Sequence, residues 1–183
     1  MIAQSKKMIL IVDDQPAWRM TFSLILEENS FNVISAGSYE EAMNILESHT
    51  PFHVAIVDKN LNGDNPDEGL ELINHIKQMN VFTNTIVITG YPTISTARRA
   101  FRELCVFDYI EKLNEEKFGF DTEHFIKIVR EAAYDADSKI RAGALSGNSA
   151  TIFNNSIKIF ICYAREDLHK AYSLYNPTTT LSR

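Results

Sequence analysis

Several things are scarce in this sequence, and each scarcity excludes something. Glycine and proline number only 7 and 5 of 183 residues, which rules out a collagen-like or low-complexity chain. No apolar run approaches the ~20 residues a membrane helix requires. The stretch 1–7 is polar and lacks the apolar core of a signal peptide, so a cytoplasmic protein with no membrane role is expected. The two cysteines, Cys105 and Cys162, stand far apart with no metal or redox spacing, in keeping with a reducing compartment. His49, His53, His75, His124 and His169 share no ligand spacing and read as surface or cap residues. Positive charge is short as well: 18 Lys and Arg face 24 Asp and Glu, for a net charge of -6. With no basic recognition helix either, a nucleic-acid partner is not expected, since such binding rests on phosphate neutralisation.

What remains is a soluble globular composition, 45% hydrophobic and 23% charged. The length allows one ordinary domain of ~120–150 residues and a remainder too short for a second typical one. The chain is organised around Ile9-Leu10-Ile11-Val12-Asp13-Asp14, a branched apolar run ending in two adjacent carboxylates. Such a run reads as a fully buried parallel strand, and acids at its C-terminal end lie on the sheet edge where open α/β folds bind ligands. The phrase recurs at Val54-Ala55-Ile56-Val57-Asp58. Three carboxylates at one edge outline a hard-metal site, and Mg²⁺ is satisfied by one or two carboxylates, waters and phosphate oxygens.

The rest of the chain alternates. Pro16 opens a helix carrying Trp18, Phe22, Ile25 and Leu26 to about Asn29; Asn32 to Ala36 is a second strand. Ser38 and Glu41 form a capping box for a helix through about Ser48, stopped by Pro51. After the Asp58 strand, the polar loop from Asn60 to Glu68 leads to a helix marked by Leu70, Leu72, Ile73 and Ile76. Thr85 to Thr89 is the fourth strand, followed by a helix with Ala97, Ala100, Phe101 and Leu104. Val106 to Glu111 is the fifth, ending at Lys112, and a last helix runs from a Thr122 cap through Phe125, Ile128, Val129 and Ala132 to roughly Arg141. Strands and helices in strict alternation call for a parallel sheet covered on both faces, an α/β (βα)5 doubly wound fold. Right-handed crossovers then place Asp13, Asp14, Asp58, Thr89 and Lys112 on one edge.

The residue types suggest phosphoryl chemistry. Asp13 and Asp14 can hold Mg²⁺ directly or through water, and the Asp58 carboxylate can act as an oxygen nucleophile. Lys112 brings a second cation and Thr89 a hydroxyl donor, the neutralisation and positioning that in-line transfer asks for. Backbone amides near Gly90 add donors.

In order, the Asp13-Asp14 pair, Asp58, Thr89-Gly90, Tyr109 and Lys112 resemble the response-regulator receiver domain of two-component signalling, over residues 6–141. The resemblance implies a flavodoxin-like strand order 2-1-3-4-5. It implies Asp58 as phospho-acceptor, charged by a histidine kinase or histidine phosphotransfer protein. Asp13, Asp14, Asp58 and the backbone carbonyl of Asn60 would be the Mg²⁺ ligands, with Lys112 and Thr89 on the phosphoryl group. Thr89 and Tyr109 would be a switch pair that remodels the face of helix four, strand five and helix five for a downstream protein. No enzyme is implied beyond phosphorylation and dephosphorylation of Asp58 itself; a homodimer stays open.

The chain departs from the family pattern at three places. Leu113 replaces the usual cis proline after the lysine, and a non-proline cis bond costs ~2.5–4 kcal/mol. The loop after Asp58 is longer and adds Asp64, Asp67 and Glu68. Lys59 and Asn60 occupy positions that tune phosphate lifetime in the family. A pseudo-receiver in which Leu113 displaces Lys112 is therefore one alternative. A Mg²⁺-dependent phosphohydrolase is another, although such enzymes carry an acid two residues after the nucleophile and this chain has Asn60 there.

Residues 142–156 are small and polar, a linker by composition. Ile157 to Tyr163, with Ala164-Arg165-Glu166-Asp167 leading into a helix, resembles the opening strand and helix of a Toll/interleukin-1 receptor (TIR) domain, with Cys162 where serine is usual. The segment 157–183 would be a short β-α extension, too short to carry the NAD-cleaving helix of that family.

Overall fold

Alternation of side chains along the two central strands explains why helices cover both faces of the sheet. Ile9 and Ile11 of β1 (Met8–Val12) enter one core and Leu10 and Val12 the other; Val54 and Ile56 of β3 (Val54–Asp58) divide from Ala55 and Val57 in the same way. β3 and β4 (Asn84–Thr89) are buried at every position. The computed structural model describes residues 6–48, 52–61, 65–112 and 119–145, all within the unit Met1–Ser146. Leu113, Asp64, most of the linker and the TIR-like segment 157–183 lie outside the described residues.

The strands pair in parallel in the order β2-β1-β3-β4-β5, with β2 (Asn32–Ala36) and β5 (Asp108–Glu111) at the edges. This is the expected strand order. Helices α1 (Pro16–Glu28) and α5 (Thr122–Leu145) cover one face; α2 (Tyr39–Ser48), α3 (Glu68–Met79) and α4 (Ile94–Arg102) cover the other. Beneath α1 and α5 an aromatic cluster fills the core, with the Phe22 ring 5.2 Å from both Trp18 and Phe125. No described helix is long and apolar enough to cross a membrane.

At the N-terminal edge of the sheet, α5 is tied down by polar contacts. The Asn84 side-chain amide donates to the Ala132 carbonyl (2.7 Å) and to Asp135 (2.8 Å), while Lys139 donates to the Asn84 side-chain oxygen (3.1 Å). Lys7 pairs with Asp137 at 2.6 Å.

Local chemistry moved several boundaries. The Ser38 hydroxyl accepts from the Glu41 amide (3.2 Å), as a capping box requires, but the Glu41 carboxylate reaches past the cap to the Gly37 amide (2.6 Å). Thr122 does not cap α5; Asp121 does, accepting from the His124 amide (3.0 Å), because a carboxylate three residues back fits the orphan amide best. β5 starts at Asp108 rather than Val106, since Cys105 turns the chain through a left-handed φ of 48°. α4 buries only Ala100, so Phe101, expected inside, is 42% exposed.

Candidate functional site

The C-terminal edge of the sheet gathers the charged residues. The Asp13 amide extends the β1–β2 ladder by donating to the Ala36 carbonyl (3.1 Å), which fixes its carboxylate inside the edge, fully buried. Its Oδ1 accepts from the Gln15 amide (3.0 Å), and its carbonyl accepts from the Arg19 guanidinium (2.6 Å). Asp14, next along, is exposed. Asp58 closes β3 and is buried, its Oδ1 accepting from the Asn60 amide at 3.2 Å. Lys112 follows β5; its amide donates to the Thr89 carbonyl (2.8 Å), which carries the side chain over the sheet end.

The Lys112 ammonium then stands between the two buried acids, 2.6 Å from Asp58 Oδ2 and 2.7 Å from Asp13 Oδ2. The first contact is an aligned hydrogen bond; the second is ionic only, so Asp13 Oδ2 is buried without a hydrogen-bond donor. The ammonium also lies 5.6 Å from the Trp18 ring centroid. Burial, reinforced by the negative charge of Asp13, pushes the Asp58 carboxyl above its ordinary pKa. The Lys112 hydrogen bond and charge, and the Asn60 amide, pull it back only in part.

Thr89 is buried, and its hydroxyl oxygen accepts from the Tyr91 amide (3.1 Å), leaving its proton free to be donated. The Tyr109 ring packs with the core under α2, α3 and α4. Its hydroxyl is buried without an aligned partner; the Thr93 amide approaches it, and burial raises its pKa. Asn60 Oδ1 is likewise buried and unpartnered.

The donor set fits Mg²⁺. Carboxylate oxygens of Asp13, Asp14 and Asp58 lie within 4.8 Å of one another, and all are hard ligands of the kind Mg²⁺ takes. The edge thus brings together Asp13, Asp14, Asp58, Thr89 and Lys112, with Tyr109 and Asn60 beside them.

Three neighbours escaped the sequence reading. Trp18 and Arg19 looked like ordinary residues of α1, and their link to the acids runs through space. Gly69 sits in the first turn of α3 so close to β3 that a Cβ there would lie 1.8 Å from the Asp58 carbonyl oxygen. A glycine opening an otherwise apolar-periodic helix was the available signal, because it normally costs about 1 kcal/mol against alanine.

Comparison with known proteins gives a consistent result. The family model described as response regulator receiver domain matches residues 9–118. A putative response regulator, NtrX-like, from Rickettsia bellii is 36% identical over 110 residues, 60% of this chain and 22% of that protein. The chain therefore spans about a fifth of the length of that relative. Among solved structures, a CheY-like receiver domain protein from Methanospirillum hungatei superposes with a TM-score of 0.64 at 24% identity, covering 74% of this chain and 99% of that one. The response regulator TrrA of Thermotoga maritima, solved with Mg²⁺ and beryllofluoride, gives 0.56 at 25% identity, covering 69% and 98%.

Proposed function

Because this chain belongs to the response regulator receiver domain family, we propose that it accepts a phosphoryl group on Asp58 in a Mg²⁺-dependent reaction and signals by protein–protein contact. The observation that carries the reading is the buried Lys112 ammonium bridging Asp13 and Asp58 at the sheet edge. A lysine committed to structure alone is rarely taken so far from water.

One oxygen of Asp58 attacks phosphorus in line, and a P–O bond forms as the donor's P–N or P–O bond breaks, with the leaving group keeping that bond's electron pair. Asp13, Asp14 and Asp58, with the Asn60 carbonyl as a further ligand, would hold Mg²⁺, which would supply neutralisation of the phosphoryl oxygens. Lys112 transfers its hydrogen bond from the Asp58 carboxylate to a phosphoryl oxygen, and the Thr89 hydroxyl turns its free proton to another. That movement of Thr89 opens space toward the unpartnered Tyr109 hydroxyl, whose ring then changes packing beside α4. The donor is a histidine kinase or histidine phosphotransfer protein, and the remodelled α4–β5–α5 face meets a downstream protein or a second copy. The receiver unit is residues 6–141, and the TIR-like segment takes no part in this reading.

Acetyl phosphate with Mg²⁺ should add one phosphoryl group, detected by intact mass, and Asp58→Asn should abolish it. Equal labelling of the variant overturns the assignment. Against the pseudo-receiver alternative stands the position of Lys112, which reaches the site although Leu113 follows it. The phosphohydrolase reading lacks its proton donor at Asn60.

A further inference from the structure

Asp67 precedes α3 as its N-cap residue, yet its carboxylate caps nothing. Aspartate there normally accepts from an amide of its own helix. Instead it accepts a hydrogen bond from the Arg99 guanidinium, in the middle of α4, thirty-two residues on. Its backbone is meanwhile fixed to α3: the Asp67 amide donates to the Asn65 side chain (3.1 Å), and its carbonyl accepts from the Leu70 (2.9 Å) and Glu71 (3.1 Å) amides. Two residues further, Gly69 donates to the Lys59 carbonyl at 3.0 Å and packs on the Asp58 carbonyl. Asp67 is therefore joined by a short stiff stretch of backbone to the acceptor.

The other partner is loosely held. α4 buries Ala100 alone of its nine residues. Among the described residues, Arg99 is the only α4 side chain that reaches another element by a hydrogen bond or ion pair. Arg99 also has a second acid within reach, Glu103 one turn on, at 3.6 Å. The guanidinium thus has two acceptors, one on the acceptor side and one on its own helix, which is the arrangement a two-position element needs.

We propose that the Asp67–Arg99 ion pair is a latch that holds α4 in its resting position and couples that position to occupancy of Asp58. The inference rests on Asp58 being the phosphoryl acceptor. Filling the pocket shifts the backbone of Asp58 and the first turn of α3, Asp67 draws away, and Arg99 passes to Glu103. Asp67 and Arg99 are positioning residues; neither touches the phosphoryl group. Because coupling is reciprocal, removing the latch lowers the cost of occupying the site.

Two measurements on the whole chain test this. Beryllofluoride affinity in Mg²⁺ is read from the fluorescence of Trp18, the one tryptophan in the chain. Asp67→Ala and Arg99→Gln should each bind about threefold more tightly than wild type, the size expected of a half-exposed pair. The double variant should gain no more than either single one, and Arg99→Lys, which keeps the cation, should stay at the wild-type value. Hydrogen exchange at amides 94–102 without ligand should speed up in the same two variants and not in Arg99→Lys. Unchanged or weaker affinity, or additive gains, overturns the latch while leaving the acceptor assignment standing. If wild type binds no beryllofluoride, the acceptor assignment fails, and unchanged α4 exchange in the variants then removes the latch on its own.

Discussion

Alanine at position 69 should injure the proposed acceptor, Asp58, more than its single added methyl suggests. The new Cβ would stand 1.8 Å from the Asp58 carbonyl oxygen and 2.8 Å from that of Lys59, where ordinary contacts start at 3.4 Å. The closer gap is short by 1.6 Å, and neither side yields easily. α3 is held from behind by Leu70, Leu72, Ile73 and Ile76, and β3 lies between β1 and β4. Forced overpacking of this kind costs about 3 kcal/mol, and alanine's better helix propensity offsets only ~1 kcal/mol of it. For a domain of this size the net loss lowers Tm by roughly 5–10 °C. The displaced atom belongs to Asp58, the proposed acceptor, and misplacing a reacting group by ~1 Å costs on the order of 10²-fold in rate. Thermal unfolding and the initial rate of acetyl phosphate labelling should fall together in Gly69→Ala. Gly90→Ala is the internal control: a Cβ there meets nothing within 4 Å, so its Tm should stay within about 2 °C of wild type. A Gly69→Ala protein that melts with wild type, or melts low yet labels at full rate, refutes the proposed tie between α3 and Asp58.

Asp58→Asn should be more stable than wild type at neutral pH without metal. The raised pKa of Asp58 means that its stability contribution is present below the unfolded-state pKa and is lost as pH rises through the folded value; asparagine has no such loss. Urea midpoints from about pH 3 to about pH 8 should show the gap opening with pH and closing in acid, and a gap that widens in acid would reverse the argument. Lys112→Met leaves two buried carboxylates without their cation and should cost about 3–5 kcal/mol by urea denaturation, part of it recovered by adding Asp58→Asn. Tyr109→Phe removes a buried hydroxyl that has no aligned partner, so stability by urea denaturation should hold or rise, and a loss of more than about 1 kcal/mol would show that the approaching Thr93 amide is a real partner. Millimolar Mg²⁺ should raise the wild-type Tm and do so much less in Asp13→Asn, which takes one of the three carboxylates out of the cluster.

The bounds of β2 and β3 were readable from the local order of residues, since short apolar runs end abruptly at turn residues or acids. The gathering of Asp13, Asp58 and Lys112 followed from topology, because a parallel sheet with right-handed crossovers leaves its strand ends no other edge. Contacts made through space were not readable. Nothing in the spacing of Trp18 announces its closeness to Lys112, nor in that of Arg19 its bond to Asp13, and Arg99 resembles any solvated helix residue until Asp67 is placed beside it. Phe101 misled because periodicity reports which residues share a face, not whether that face is covered, and α4 is covered by little.

The polar ties between α5 and the start of the sheet, through Asn84, Lys139 and the Lys7–Asp137 pair, have an architectural consequence. They make the later turns of α5 a fixed mast, stepped into the pole opposite Asp58, while α4, with one buried residue, is the loose rigging. A pull on that foot of the mast is taken up by Asn84 and Lys7, at the far ends of the strands from the acids.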